Sequence, residues 1–321
     1  MSDPEIQPVE IGEESSQNFP PKPEFSEQAP NIQGSIISLV IFIGIFLLLG
    51  MELRMVFIIL LVLLFHELGH FVAMKQFGYK NVNMFFVPLF GAFVSGEKEE
   101  ASEKQSVVTI LAGPVPGIIL GLILLYLEFS LGFNQLDRLP EVFLSLNILN
   151  LLPLLPLDGG RLIETLFTKG KVVLENFFLI LSALLVIGLS WMLNSIPALI
   201  IAAFILLQLR KNFKNQKMRR WFSEERLSLQ VSYARLTDSD FWRMDALLRN
   251  RVPELAMAPA SITAIMIRNL LMPQPAQKLN WPSRLGIVVF WLLCLLIPVW
   301  IYMQIHWAEF SQFGGSAEIS A

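Results

Sequence analysis

Seven stretches of this chain are candidates for the roughly 20 apolar residues that a helix needs to cross a bilayer, the first and sixth of them short. They lie near residues 35–51, 53–75, 105–131, 142–165, 172–193, 196–209 and 285–305. Lipid offers the backbone no hydrogen-bond partner, so stretches of this kind close their bonds internally as helices. The expected fold is an all-α membrane protein, a polytopic bundle of about seven transmembrane helices. Pro153, Pro156, Gly159 and Gly160 interrupt the fourth stretch, which is therefore expected to be a broken helix. Composition points the same way: 54% of the residues are hydrophobic and 16% charged, where a soluble domain carries about 25% charged residues. With 24 basic residues against 27 acidic, the net charge of -3 excludes a nucleic-acid binder. The lone Cys294 excludes a disulfide scaffold or a multi-cysteine metal site.

The ends and one long connection differ from the rest. Residues 1–33 hold seven acids, one base (Lys22) and six prolines, and read as a disordered acidic tail, because they bury too little apolar surface to offset ordering entropy. Residues 34–209 form the core, spans one to six. Residues 210–220 carry six bases and no acid, and 210–284 fourteen bases against six acids. Such a stretch stays in the cytoplasm. Counting back through the spans puts the amino terminus there too, and the last helix, 285–305, leaves the 306–321 tail outside. Within 210–284, helical patterns at 240–248 and 260–271 are separated by prolines, and suit a small domain or an interfacial hairpin. Localisation follows as an integral multi-pass protein of the cell membrane.

The second stretch contains His66, Glu67 and His70 in H-E-L-G-H. Ionisable residues in a membrane helix are costly and point to function. Residues four apart stand one above the other on a helix, so both imidazoles reach one ion, and Glu67 is placed to act on water beside it. A helix-to-helix hydrogen-bond cluster is the bland alternative. A catalytic zinc takes three protein ligands and keeps one position open. His306, the remaining histidine, ends the last span beside Trp307 and reads as interfacial. A carboxylate from another span is then expected as third ligand, and Asp158 fits. It ends N-L-L-P-L-L-P-L-D, residues 150–158, where prolines and glycines break the helix.

The pairing of H-E-L-G-H with N-L-L-P-L-L-P-L-D-G-G resembles the site-2 protease family of intramembrane zinc metalloproteases, over about residues 53–165. The resemblance implies that His66, His70 and Asp158 bind one Zn2+ per chain and that Glu67 is the catalytic acid/base. It implies that Asn150 steadies the substrate or the developing oxyanion. Leu111 to Pro114 is similar to the family's middle core helix, although Gly117 stands where many members carry asparagine. Residues 88–96 resemble a hairpin dipped into the membrane, and the neighbouring Phe85, Phe86, Val87, Phe90, Phe93 and Val94 favour extended structure on their own account. An extended edge there is suited to pairing with an unwound substrate.

The function expected is zinc metalloendopeptidase activity on transmembrane segments, as in regulated intramembrane proteolysis. The expected partners are single-pass membrane proteins and the lipid bilayer, with no nucleic acid and no indication of oligomeric state. A non-catalytic metal-binding scaffold that holds transmembrane clients is the alternative, and an ion transporter is a more distant one, because no matching pair of broken spans is evident.

Overall fold

The computed structural model describes residues 19–25, 32–88, 91–98, 100–132, 138–167 and 171–315. In chain order the elements are α1 (Ile32–Leu48), α2 (Leu53–Gln76), β1 (Lys80–Val87), β2 (Gly91–Glu97), α3 (Glu103–Leu111), α4 (Pro114–Leu131), α5 (Leu139–Asn150), α6 (Asp158–Leu166), α7 (Lys171–Leu193), α8 (Ile196–Glu224), α9 (Asp238–Arg251), α10 (Ala260–Leu270) and α11 (Trp281–Gly315). They divide into two compact units, with residues 1–26 and 214–274 in one and 27–213 and 275–321 in the other.

The larger unit is a multi-pass membrane bundle. Among the described residues five helical stretches are long and apolar enough to cross a bilayer: 53–76, 103–130, 172–193, 196–224 and 281–305. The expected seven is not reached by this measure. With 17 residues, α1 is about 25 Å long at 1.5 Å per residue, short of a hydrocarbon core of about 30 Å. The fourth stretch divides into α5 and α6. Prolines explain the division. Pro153 and Pro156 have no N–H to offer a continuing helix, so α5 stops at Asn150 and seven residues turn a corner before α6 begins at Asp158. The corner is tight: a Cβ on Gly159 would lie 2.1 Å from the Leu151 carbonyl oxygen, which only glycine avoids. Trp291 of α11 donates its indole N–H to that same carbonyl at 2.8 Å and braces the turn from outside.

Two further devices hold the elements around the corner. Ser102 and Gln105 form a reciprocal cap at the start of α3, with Gln105 N donating to Ser102 Oγ at 3.1 Å and Ser102 N to Gln105 Oε1 at 3.2 Å. Glu103, 2% exposed, accepts from both the Leu279 N–H and the Arg284 guanidinium, at 2.7 and 2.6 Å, tying α3 to the start of α11. Removing one partner of a buried pair leaves an uncompensated charge. Arg284→Met is therefore expected to destabilise the fold by about 3–5 kcal/mol, read as a lowered melting temperature in detergent.

The strands form a single antiparallel hairpin, with Phe85 opposite Phe93 and Val87 opposite Gly91. This is the extended structure expected near 88–96, although residues 89 and 90 lie outside the described residues. The hairpin packs on α1, where Phe42 meets Phe86 with ring centroids 6.1 Å apart and Ser38 Oγ accepts the Phe86 N–H at 3.0 Å. It also packs on α2.

The smaller unit is helical, built from the end of α8 with α9 and α10 around Met218, Phe222, Phe241, Met244, Leu248 and Ile267. Thr237 caps α9 through the Asp240 N–H, at 3.1 Å. Part of the expected disordered tail belongs to this unit: residues 19–25 lie against it through specific hydrogen bonds. Residues 1–18 and 26–31 are outside the described residues. At the other end α11 continues to Gly315, beyond the expected end of the last span at 305. The reading of His306 concerns a side chain outside the described ones.

Candidate metal centre

His66 and His70 lie on one face of α2 and are 2% and 6% exposed. Each ring is fixed by its Nδ1. His66 Nδ1 faces Asn147 Oδ1 at 2.8 Å. The Asn147 amide is itself oriented, since its Nδ2 donates to the Phe143 carbonyl at 2.7 Å. Its oxygen therefore accepts, and His66 Nδ1 carries the proton. His70 Nδ1 donates to the Thr109 carbonyl on α3, at 2.7 Å. Both Nε2 atoms consequently present lone pairs.

Those lone pairs converge with a carboxylate. Asp158, the first residue of α6, brings Oδ2 to 3.1 Å from each Nε2, and the two Nε2 atoms are 3.1 Å apart. Three acceptors facing one another in a buried pocket can share a cation. Tetrahedral zinc, with bonds of about 2.0–2.1 Å, sets its donors about 3.3 Å apart, close to the spacing seen. The donor set thus fits the zinc expected from the sequence. His66, His70 and Asp158 are the grouping of at least three His, Cys, Asp or Glu found to fit a metal ion among the described residues.

Glu67, 5% exposed, lines a cavity of about 550 Å³ together with the three donors, Asn150 and the β2 residues Gly91 to Val94. Asn150 commits one amide proton to the Leu146 carbonyl at 3.2 Å, which leaves a second for a ligand. Arg161, half exposed, stands 3.9 Å from Asp158 Oδ1 at the cavity wall. All five residues singled out in the sequence, His66, Glu67, His70, Asn150 and Asp158, meet at this one cavity.

Sequence reasoning missed the supports. A Cβ on Gly117 would fall 2.3 Å from Asn147 Nδ2, so the glycine opens the room in which that amide sits. The signal was present as a second asparagine three residues before Asn150, inside an otherwise apolar helix. Asn147→Leu leaves the His66 Nδ1–H unmatched. It is expected to weaken zinc binding by about 10–100-fold, measured by competition with a chelator of known affinity.

A multi-pass helical scaffold, three convergent metal donors and a carboxylate in the same cavity are the parts that a zinc metalloendopeptidase requires. Comparison with known proteins agrees: residues 54–143 match the model of Peptidase family M50. Stage IV sporulation protein FB of Bacillus subtilis is 29% identical over 194 residues, 59% of this chain and 67% of that protein. A zinc metalloprotease of Methanocaldococcus jannaschii is 28% identical over 151 residues, 44% of this chain. The chain spans 43% of the length of that second relative. Among solved structures, the site-2 protease from Methanocaldococcus jannaschii is similar at 21% identity and a TM-score of 0.41, covering 55% of this chain and 86% of that one.

Proposed function

We propose that this protein hydrolyses peptide bonds in or near the transmembrane segments of single-pass membrane proteins, in the manner of regulated intramembrane proteolysis. The observation that carries the proposal is the convergence of His66 Nε2, His70 Nε2 and Asp158 Oδ2 in the cavity that also holds Glu67. His66, His70 and Asp158 would hold one zinc per chain, which supplies Lewis-acid polarisation of a carbonyl and acidifies water.

The remaining chemistry belongs to the chain. Glu67 takes a proton from water and returns it to the leaving amine. Asn150 donates its second amide proton to the developing oxyanion. The sheet has two strands, and β2 reaches the cavity, so an unwound substrate pairs there by strand addition. Unwinding is required because a helical substrate keeps its carbonyls in intrahelical bonds. Arg161 and the polar corner at Asp158 give water its route to a site otherwise walled by apolar helices.

The orientation proposed is an amino terminus and a 210–284 stretch both cytoplasmic, in a cell-membrane protein. Support comes from the hydrogen bonds between residues 20–23 and residues 233–242, which require both segments on one side of the bilayer. Purified protein in detergent is expected to cut a single-span reporter, lose the activity on chelation and regain it with zinc. Zinc bound at one per chain without cleavage of any helix-destabilised reporter would favour the scaffold reading instead.

A further inference from the structure

Residues 20–25, P-P-K-P-E-F, reach the smaller unit through contacts that single out a proline-rich ligand. Trp242 donates its indole N–H to the Pro20 carbonyl at 2.6 Å, and the Tyr233 hydroxyl donates to the Pro23 carbonyl at 2.8 Å. Pro20, Pro21 and Pro23 have no N–H, so Lys22 offers the one backbone donor between positions 20 and 23, and it is used: Lys22 N–H meets Asp238 Oδ1 at 2.9 Å. The Lys22 ammonium donates to the Ala234 carbonyl at 3.1 Å and to the Leu236 carbonyl, and lies 5.4 Å from the Tyr233 ring centre. Phe25 completes the set, with its ring 4.9 Å from that of Tyr233 and 4.8 Å from the Arg268 guanidinium.

Aromatic walls with N–H and O–H groups aimed at proline carbonyls are the chemistry by which grooves recognise proline-rich segments. Prolines hold the ligand extended in advance and so lower the ordering cost. Burial, with the Asp238 carboxylate adding to it, pushes the Tyr233 phenol up to about 12, against the opposing Arg268 charge. The hydroxyl therefore remains a donor throughout the physiological range.

We propose that residues 214–274 form a docking surface for a proline-rich peptide, and that this chain's own Pro20–Phe25 segment is its occupant. The surface is a binding site separate from the metal centre and does not rest on the peptidase reading. Tethering raises the local concentration of the segment to about the millimolar range, so the intact chain excludes free peptide until that range is reached.

The test uses the whole protein in detergent and a fluorescein-labelled peptide with the sequence of residues 18–26. Intact protein should leave the peptide's anisotropy unchanged at micromolar concentration. A variant lacking residues 1–26, with helical circular dichroism equal to the parent's, should bind it saturably, at least about tenfold more tightly than the intact chain. Trp242→Phe in that variant should weaken binding several-fold, and a peptide with Pro20→Ala and Pro23→Ala should not bind. Equal binding by both proteins, or none by the folded deletion variant, overturns the proposal. Should the deletion variant fail to fold, a photo-cross-linking residue at position 25 of the otherwise intact chain decides the matter. A cross-link within one chain to the region of Tyr233 or Arg268 supports it. A cross-link to another segment, or between two chains, overturns it.

Discussion

Glu67→Gln is expected to abolish peptide hydrolysis while zinc stays bound. The substitution keeps the size of the side chain and removes only its capacity to accept and return a proton. The donors His66, His70 and Asp158 make their mutual approaches, and their bonds to Asn147 and Thr109, without help from Glu67. Removing a general acid/base of this kind lowers turnover by about 10²–10⁴-fold. Zinc content measured on the purified variant, alongside cleavage of the single-span reporter, separates the two effects. Cleavage by the variant at the parental rate would remove Glu67 from the chemistry.

Gly113→Ala is expected to empty the metal centre with little effect on folding. Gly113 stands between α3 and α4 with φ -76° and ψ -68°, a right-handed conformation that alanine adopts freely. The methyl group has nowhere to go, however, because it would lie 2.3 Å from His70 Nε2, the donor atom itself, and 2.6 Å from Cε1. The ring is pinned at its other nitrogen by the Thr109 carbonyl, at 2.7 Å, and must break that bond to move aside. Zinc affinity should fall by at least the 10–100-fold seen when a ligand's orienting bond is lost, and activity should fall with it. Gly44→Ala, where no atom lies within 4 Å of the new methyl, is the control and should change neither. Retention of full zinc content by Gly113→Ala would show that the His70 ring has freedom its packing does not suggest.

The two positions differ in how they were legible. Glu67 is announced by its neighbours: the i, i+4 histidine pair is a local pattern, and one helix suffices to put both rings on one face. Gly113 lies in a short run of small residues whose importance depends on a ring arriving from a different helix. Asn147 shows the same contrast. It is 81 residues from His66 in sequence, and nothing local distinguishes its buried amide from that of Asn150, which the motif did single out.

The broken fourth stretch was legible in the sequence, but what closes its corner was not. Pro153, Pro156, Gly159 and Gly160 marked 142–165 as a broken helix. The structure makes two separate helices of it, because the corner is closed by Gly159 against the Leu151 carbonyl and braced by Trp291 from the far end of the chain. The acidic tail departs from its reading over the described residues 19–25. Its composition does argue against a core of its own. Six of its residues nonetheless dock on a surface that already exists, and composition is blind to a ligand that needs no core.

Sequence alone determined that this chain lives in a bilayer, that two histidines and a glutamate share a turn of one apolar helix, and that a second helix must break at Asp158. Each of these follows from residues within a few positions of one another, where helical period and the missing proline N–H act directly. Only the tertiary structure decided which nitrogen of each imidazole is left free, which glycines make room for the rings, and which helix holds the corner. Those outcomes depend on atoms brought together across tens to hundreds of residues, and short-range pattern carries no record of such meetings.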